Sequence, residues 1–378
     1  MKIAHFLGTM RPEHDGVTRV VYRLRELFDR SFAEHLFISP IGSQTPQDDI
    51  RTVPSIPFPL STQYRLAMVN QDSVQRVLGN DKPDIIHIHS PDPLGWAAMR
   101  YARHVGIPMV ATYHTHFPSY AKYYHLEFAA PIGWQILRAL YSSSQALIVP
   151  SQATLEELAD HGFKNLIHIP HGVDSDSFSP ANRSEAWRSS ILGDDPNRVI
   201  VSFVSRLVWE KNPMVLVKAW KQLNNKGRAK LVIVGDGPAR AKLEQLLPEA
   251  HFTGKLSGAP LFEAYASSDI FVFPSITETF GNVTVEAMAS GLPAICAIAG
   301  GARDIVIPRK NGLLFDADKP IQLAQAIDEL VTNPELRLQM SKAALESVKR
   351  FRWDTTVSAY ERVYQDVAAA KAVVPQLA

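Results

Sequence analysis

A chain of 378 residues is too long for one ordinary hydrophobic core and suits two domains. Apolar residues at 46% and charged residues at 20% describe a globular protein, and a net charge of +1 gives no global attraction for nucleic acid. The single cysteine, Cys296, excludes an intrachain disulfide and, within the apolar run PAICAIA, reads as a buried thiol.

The first segment, KIAHFL from Lys2, is a strand, followed by a polar loop from Gly8 to Gly16 and a helix from Val17 to Phe28. Gly16 either lets the backbone approach a bound group or serves as a turn glycine. The dinucleotide fingerprint GxGxxG is absent. MKIAHFLGTMRPEHDG has too short an apolar core for a signal peptide, and no run reaches the roughly 20 apolar residues of a membrane span. The expectation is a cytoplasmic protein, with peripheral contact on the inner face of the membrane left open.

Further strands are predicted at Glu34 to Ser39, Asp84 to Ser90, Pro108 to His114, Ala146 to Pro150 and Asn165 to Pro170, with helices between them. Pro54 to Pro59 (PSIPFP) is expected to be a loop too stiff for helix. His87 with His89, and His114 with His116, fall at strand ends, where residues two apart share a face. No carboxylate or cysteine stands at a metal-ligand spacing, so no metal is expected. His87 and His89 read as core or edge histidines, and His114, ending a strand in TYHTHFPSY, as a functional one.

Turn-rich PHGVDSDSFSP from Pro170 is the expected interdomain linker. It divides a first domain, 1–178, from a second, 179–354, with a C-terminal helix from about 355 to 378 crossing back to the first. Asp174-Ser175-Asp176 and Asp316-Ala317-Asp318 resemble metal-diphosphate patterns but sit where turns favour aspartate anyway. The second half restarts the alternation, with strands at Arg198 to Arg206, Lys230 to Val234, His251 to Gly254, Asp269 to Phe273, Pro293 to Ala297 and Gly312 to Phe315. This pattern predicts two α/β domains with parallel sheets in tandem.

The most informative stretch is PSITETFGNVTVEAMASGLP, from Pro274 to Pro293. It follows an apolar strand and runs through a polar loop into a helix expected to start near Asn282, the geometry that binds anions on helix amides. Glu278 lies just outside that helix and Glu286 one turn inside, so the two carboxylates address different ends of one ligand. A capping box does not explain Glu286, because the residue three before it is Val283. Arg206 and Lys211 flank the first loop of the second half, where a guanidinium and an ammonium neutralise a diphosphate without metal.

Arg206, Lys211, Gly235-Asp236-Gly237-Pro238 and Glu278-Thr279-Phe280-Gly281 through Glu286-Ala287-Met288 resemble the signature of retaining glycosyltransferases of family 4. The likeness covers nearly the whole chain and implies the GT-B fold: two facing Rossmann-like domains with parallel sheets and an interdomain cleft. It implies that Arg206 and Lys211 hold the donor diphosphate, Phe280 to Val283 (with Gly281 and Asn282) the phosphate and sugar, Glu278 the sugar hydroxyls and Glu286 the ribose. Thr279, Gly235 and Leu256, the last in the loop after Gly254, complete the donor-binding set. DGVTRVVYRL from Asp15 and TYHTHFPSY resemble the lipid-modifying branch, the sulfoquinovosyl, glucosyl and mannosyl transferases. There Gly16 matches a donor-side glycine and His114 the histidine beside the reacting sugar. Two departures stand: one glycine where many members have a pair, and His171 before Gly172 where asparagine is commoner.

The implied activity is transfer of a sugar from a nucleotide-diphosphate sugar, UDP by family frequency, to an acceptor hydroxyl. The configuration is retained, with no enzymatic nucleophile and neither metal nor other cofactor. Alternatives on the same fold are a sugar-nucleotide epimerase and a non-catalytic nucleotide-sugar-binding protein. The acceptor is a lipid or a carbohydrate, with no nucleic-acid partner. Arg19, Arg23, Arg25 and Arg30 beside the aromatic stretch Tyr120 to Trp134 suit either docking on an anionic membrane or a solvated helix face and core.

Overall fold

Short runs of branched and aromatic residues, most of them leading into a helix, build two all-parallel sheets. The computed structural model describes residues 1–11, 16–43, 47–58, 61–116, 118 and 130–373. The strands are β1 (Lys2–Phe6), β2 (Glu34–Ser39), β3 (Ile50–Thr52), β4 (Ser55–Phe58), β5 (Ser61–Ala67), β6 (Ile85–Ile88), β7 (Met109–Thr112), β8 (Ala146–Val149) and β9 (Leu166–His168). The second half supplies β10 (Val199–Val204), β11 (Ala229–Val234), β12 (His251–Gly254), β13 (Ile270–Phe273), β14 (Ala294–Ala297) and β15 (Gly312–Phe315).

The sheet orders are β3-β2-β1-β6-β7-β8-β9 and β12-β11-β10-β13-β14-β15. Each begins at an inner strand, moves outward on one side, then returns to the other side of that strand. This is the doubly wound arrangement, with a topological switch point between β1 and β6 in one sheet and between β10 and β13 in the other. At a switch point the two loops leaving adjacent strands diverge and open a crevice at the carboxyl ends. The position of the chemistry follows from that.

The chain divides into two compact units, Met1–His171 together with the chain from Trp353, and Gly172–Arg352. The division falls earlier than the sequence-based boundary at 178. Val173 N donates to Phe351 O (2.9 Å), and Val173 and Phe178 are buried in the second unit's core. The C-terminal helix, Trp353–Val373, packs on the first sheet, where Tyr360 and Tyr364 are fully buried.

Both units fill their interiors with aliphatic and aromatic side chains. In the first, Ala4 and Phe6 face one layer while Ile3 faces the other, following the period of two along β1. In the second, Trp220 is 1% exposed, and burying a side chain of that size contributes roughly 3 kcal/mol. Cys296 is buried on β14 beside Thr284, and burial pushes its thiol up to about 12.

The PSIPFP segment departs from the expected loop. Ser55–Phe58 pairs antiparallel with Ser61–Ala67 in a two-stranded ribbon, with Pro57 opposite Arg65. A ribbon of two strands consists only of edges, so Pro57 has no ladder hydrogen bond to lose on its outer side. The edge strand Ile50–Thr52 was also unpredicted, being three residues long with two of them polar.

Candidate active site

In the second unit the loops after β10 and β13 meet at the switch point. The first runs from Ser205 to Asn212, then enters the helix Pro213–Lys221 with Pro213 at its first turn, where a missing N–H costs nothing. The second runs from Pro274 to Gly281 and enters the helix Asn282–Ala289. Thr277 Oγ1 donates to Glu210 O across the two loops (3.3 Å). Lys211 Nζ then reaches Glu278 Oε1, which also accepts from Ser275 Oγ (3.0 Å). Side-chain exposure is only 14% for Lys211 and 19% for Glu278, so this ion pair is screened from water on most sides.

Glu278 is fixed through its backbone as well. Gly301 N donates to Glu278 O (3.1 Å). A Cβ on Gly300 would lie 2.0 Å from Glu278 O, and one on Gly301 would lie 1.9 Å from Phe280 O. The Gly300-Gly301 pair therefore exists to let one loop lie flat on the other. Gly281 holds the N-cap of the helix at φ 104°, a conformation that strains any other residue, and has no side chain with which to cap the helix. The helix therefore presents its amino end at the same edge as the ion pair.

Glu286 lies one turn inside this helix, 6% exposed, with Oε2 accepting from Tyr265 Oη (3.1 Å). Of the other residues predicted to bind the donor, Thr279 and Phe280 are buried, and Phe280 packs edge-on against Phe351 (5.4 Å between centroids). Asn282 and Val283 form the first turn of the helix. Leu256 packs half-buried on the core after β12. Arg206 is exposed, two residues beyond β10. Gly235 has φ 140°, and its Cβ would lie 1.8 Å from Ser205 O, so its role is to seat the loop that carries Arg206.

In the first unit a row of imidazoles crosses the sheet from the amino end of β2 to the carboxyl ends of β6 and β7. His5 on β1, His35 on β2, His89 after β6 and His114 after β7 stand on adjacent strands of the sheet. His35 Nδ1 lies 2.9 Å from His5 Nε2, His5 Nδ1 lies 3.0 Å from His89 Nε2, and His89 Nδ1 lies 3.0 Å from His114 Nε2. Burial drives all of these rings well below the usual histidine range, to about 4 at His35 and about 3 at His89. His87 turns its nitrogens to Tyr364 Oη and Thr112 Oγ1, both at 2.8 Å.

Among the described residues, His5, His87 and His89 alone bring nitrogens within 4.8 Å of one another as a metal site would need, and all three rings already have hydrogen-bond partners. His116 pairs with Glu157 (2.9 Å). The two Asp-x-Asp sequences are turns: Asp174 accepts from Ser177 N and Oγ, and Asp316 from Asp318 N. Gly16 opens the helix Gly16–Leu27 and is exposed.

The sequence reading missed Tyr265, Ser275, the Gly300-Gly301 pair, His5 and His35. Gly300-Gly301 carried a readable signal, a glycine pair shortly after the predicted strand Pro293 to Ala297. Tyr265 had none beyond being a hydroxyl in a mostly apolar helix, Ala259–Ala266.

Two doubly wound units, one with a lysine, two glutamates and a helix amino end gathered at its switch point, define a nucleotide-sugar-dependent transferase of the GT-B fold. Residues 186–347 match the family model described as glycosyl transferases group 1, and residues 14–177 the model described as glycosyltransferase family 4. A GDP-mannose-dependent alpha-mannosyltransferase of Mycolicibacterium smegmatis is 37% identical, covering 96% of this chain and 98% of the relative. The sulfoquinovosyl transferase SQD2 of Arabidopsis thaliana is 35% identical over 79% of this chain, which spans 60% of that protein's length. Among solved structures, a sucrose-phosphate synthase from Thermosynechococcus elongatus superposes with a TM-score of 0.82 at 21% identity, covering 98% of this chain and 99% of that one. The chain belongs to glycosyltransferase family 4.

Proposed function

We propose that the protein transfers mannose from GDP-mannose to an acceptor hydroxyl with retention of configuration, and without a covalent enzyme intermediate. The reading rests on one observation above all, the Lys211–Glu278 pair beside the amino end of the helix Asn282–Ala289. The likeness to the mannosyltransferase over nearly the full length of both chains favours GDP-mannose over the UDP-sugar that family frequency suggested. Lys211 and Arg206 neutralise the departing diphosphate, and the helix amides receive its oxygens. Glu278 binds sugar hydroxyls, and Glu286, steadied by Tyr265, accepts from the ribose. His114 is assigned to the transferred sugar by the family resemblance.

In the reaction the bond between the anomeric carbon and the β-phosphate oxygen breaks while the acceptor oxygen bonds to the same face of that carbon. The acceptor proton passes to the leaving phosphate, giving GDP and the mannoside. The first step frees Lys211 from Glu278, because a diphosphate outbids one carboxylate for the ammonium. Glu278 is thereby released to accept from the sugar.

A lipid acceptor is favoured by Ile132 and Ile136, which stand exposed one turn apart on the helix Ala130–Tyr141. The arginines of the first helical stretch support it less. Arg23 pairs with Glu26, and Arg25 and Arg30 with Asp49, so their charge is largely compensated. Of the aromatic stretch Tyr120 to Trp134, residues 120–129 lie outside the described residues.

The test is nucleotide release from GDP-mannose, UDP-glucose and ADP-glucose, each with and without lipid acceptors dispersed in liposomes. Release only from GDP-mannose, and only with acceptor, is expected. Isomerisation of the sugar without acceptor would establish the epimerase instead, and binding without turnover the non-catalytic reading. Sedimentation with anionic but not neutral liposomes decides the membrane contact.

A further inference from the structure

We infer that Ser275 is a positioning residue for the donor sugar: its hydroxyl pins Oε1 of Glu278 and leaves Oε2 as the oxygen that meets the sugar. The inference rests on the proposed role of Glu278 at the sugar hydroxyls.

Ser275 stands two residues beyond β13 and is 3% exposed, so the sheet sets its place and bulk water does not compete for its hydroxyl. Around Ser275 Oγ, Thr277 N donates from 3.5 Å, Thr277 Oγ1 lies at 3.4 Å and Glu278 Oε1 at 3.0 Å. A serine has one proton to give. Thr277 spends its own hydroxyl proton on Glu210 O (3.3 Å), so Thr277 Oγ1 and Glu278 Oε1 compete for that of Ser275. The carboxylate wins, being closer and charged.

Glu278 shows the complementary pattern. Both side-chain hydrogen bonds it makes with described residues fall on Oε1, one from Lys211 Nζ and one from Ser275 Oγ. Oε2 has no hydrogen-bond partner among the described residues and is not buried, while Gly301 N holds the backbone carbonyl (3.1 Å). The glutamate is thus tied at its backbone and at one oxygen, and the other is left for a ligand.

The two ties on Oε1 have different fates. Lys211 is claimed by the diphosphate when a nucleotide binds, whereas Ser275 is buried, neutral and fixed to the end of β13. GDP alone therefore draws the ammonium away and leaves the carboxylate held by Ser275. Without that hydroxyl the glutamate side chain would turn about its torsions in the GDP complex and would have to be ordered again to meet a sugar. Ordering one such side chain costs about two- to tenfold in affinity. The cost falls on the sugar and not on the nucleotide, because GDP makes no use of Glu278.

Calorimetric titration with GDP and with GDP-mannose, in the absence of acceptor, tests this. Ser275→Ala is expected to keep the Kd for GDP within about twofold, which also reports a folded protein, and to raise the Kd for GDP-mannose about fivefold. Glu278→Ala should remove most of the preference for GDP-mannose over GDP, and in that background Ser275→Ala should add nothing, since the hydroxyl acts through the carboxylate. Equal losses for GDP and GDP-mannose, an unchanged Kd for both, or losses that add in the double variant would each overturn the inference. Binding of UDP-glucose instead of GDP-mannose by the unaltered protein would refute the proposed donor, and the same comparison with UDP and UDP-glucose then decides the role of Ser275. Binding of no nucleotide sugar would overturn both.

Discussion

The two switch points share a topology and differ in their chemistry. At the second, between β10 and β13, a lysine, an arginine and two glutamates gather where a helix begins. At the first, between β1 and β6, the side chains are imidazoles, all driven toward the neutral form by burial. A doubly wound sheet thus dictates where a ligand binds but not what is bound, since that depends on which residues end the strands. A charged edge suits a diphosphate, whereas a neutral, hydrogen-bonding edge suits hydroxyl groups.

The sharpest way to break this contrast is to remove charge from the second edge. Lys211→Ala should lower kcat for transfer about 10³-fold, the effect of losing one group that stabilises developing charge. Lys211→Arg should restore little, because a planar fork cannot occupy the place of a compact ammonium between Glu278 and the donor. Steady-state rates at saturating donor measure both, and near-normal turnover in Lys211→Ala would refute the assignment.

Acid should separate the two units. The unfolded chain takes up a proton at each histidine near pH 6.5, while His35 resists down to about 4 and His89 to about 3. The unfolded state binds more protons in that window, so stability is full above it. It falls by about 1.4 kcal/mol per pH unit for each such ring as pH drops from about 6.5 toward 4. The groups facing these rings, Arg30, Asp49, His5 and Tyr364 beside His35 and the imidazoles of His5, His87 and His114 beside His89, leave that direction unchanged. The first unit is therefore expected to lose hydrogen-exchange protection before the second as pH falls from 7 to 4. Loss in the reverse order would show that the imidazoles are not the acid-sensitive element.

Two smaller effects test how the second edge is held. Gly301→Ala places a methyl group against Phe280 O and should cost about 1–3 kcal/mol by overpacking, read as a lower Tm together with weaker GDP binding. Tyr265→Phe removes the hydroxyl from Glu286 and should weaken GDP binding by about 1 kcal/mol, roughly fivefold in Kd, without changing Tm appreciably. Calorimetric titration with GDP reads the binding loss in both, and thermal melts distinguish them.

Much of the second edge was legible because its chemistry is local. Glu278 and Glu286 are separated by one loop and one helical turn, so the helix start near Asn282 sufficed to place one outside and one inside. Arg206 and Lys211 were readable for the same reason, since one loop after one strand carries both. The first edge was not legible in this way. His5, His35, His89 and His114 come from four strands, and nothing in the order of residues says that β1 lies between β2 and β6. Tyr265 was hidden likewise, because it approaches Glu286 from a different helix. PSIPFP misled because proline content argues against sheet interiors and says little about a ribbon made only of edges.

The sequence by itself therefore determined the alternation of strand and helix, the repetition of that pattern and the carboxylate-flanked helix start, all of which depend on neighbours within about a dozen residues. Tertiary structure alone decided the rest. Strand order seated the ammonium of Lys211 on Glu278, and a second strand order linked four distant histidines into one hydrogen-bonded series. The physical reason is that periodicity and turn chemistry act along the chain, whereas ion pairs and imidazole contacts act through space, across strands whose adjacency is settled only when the sheet is complete.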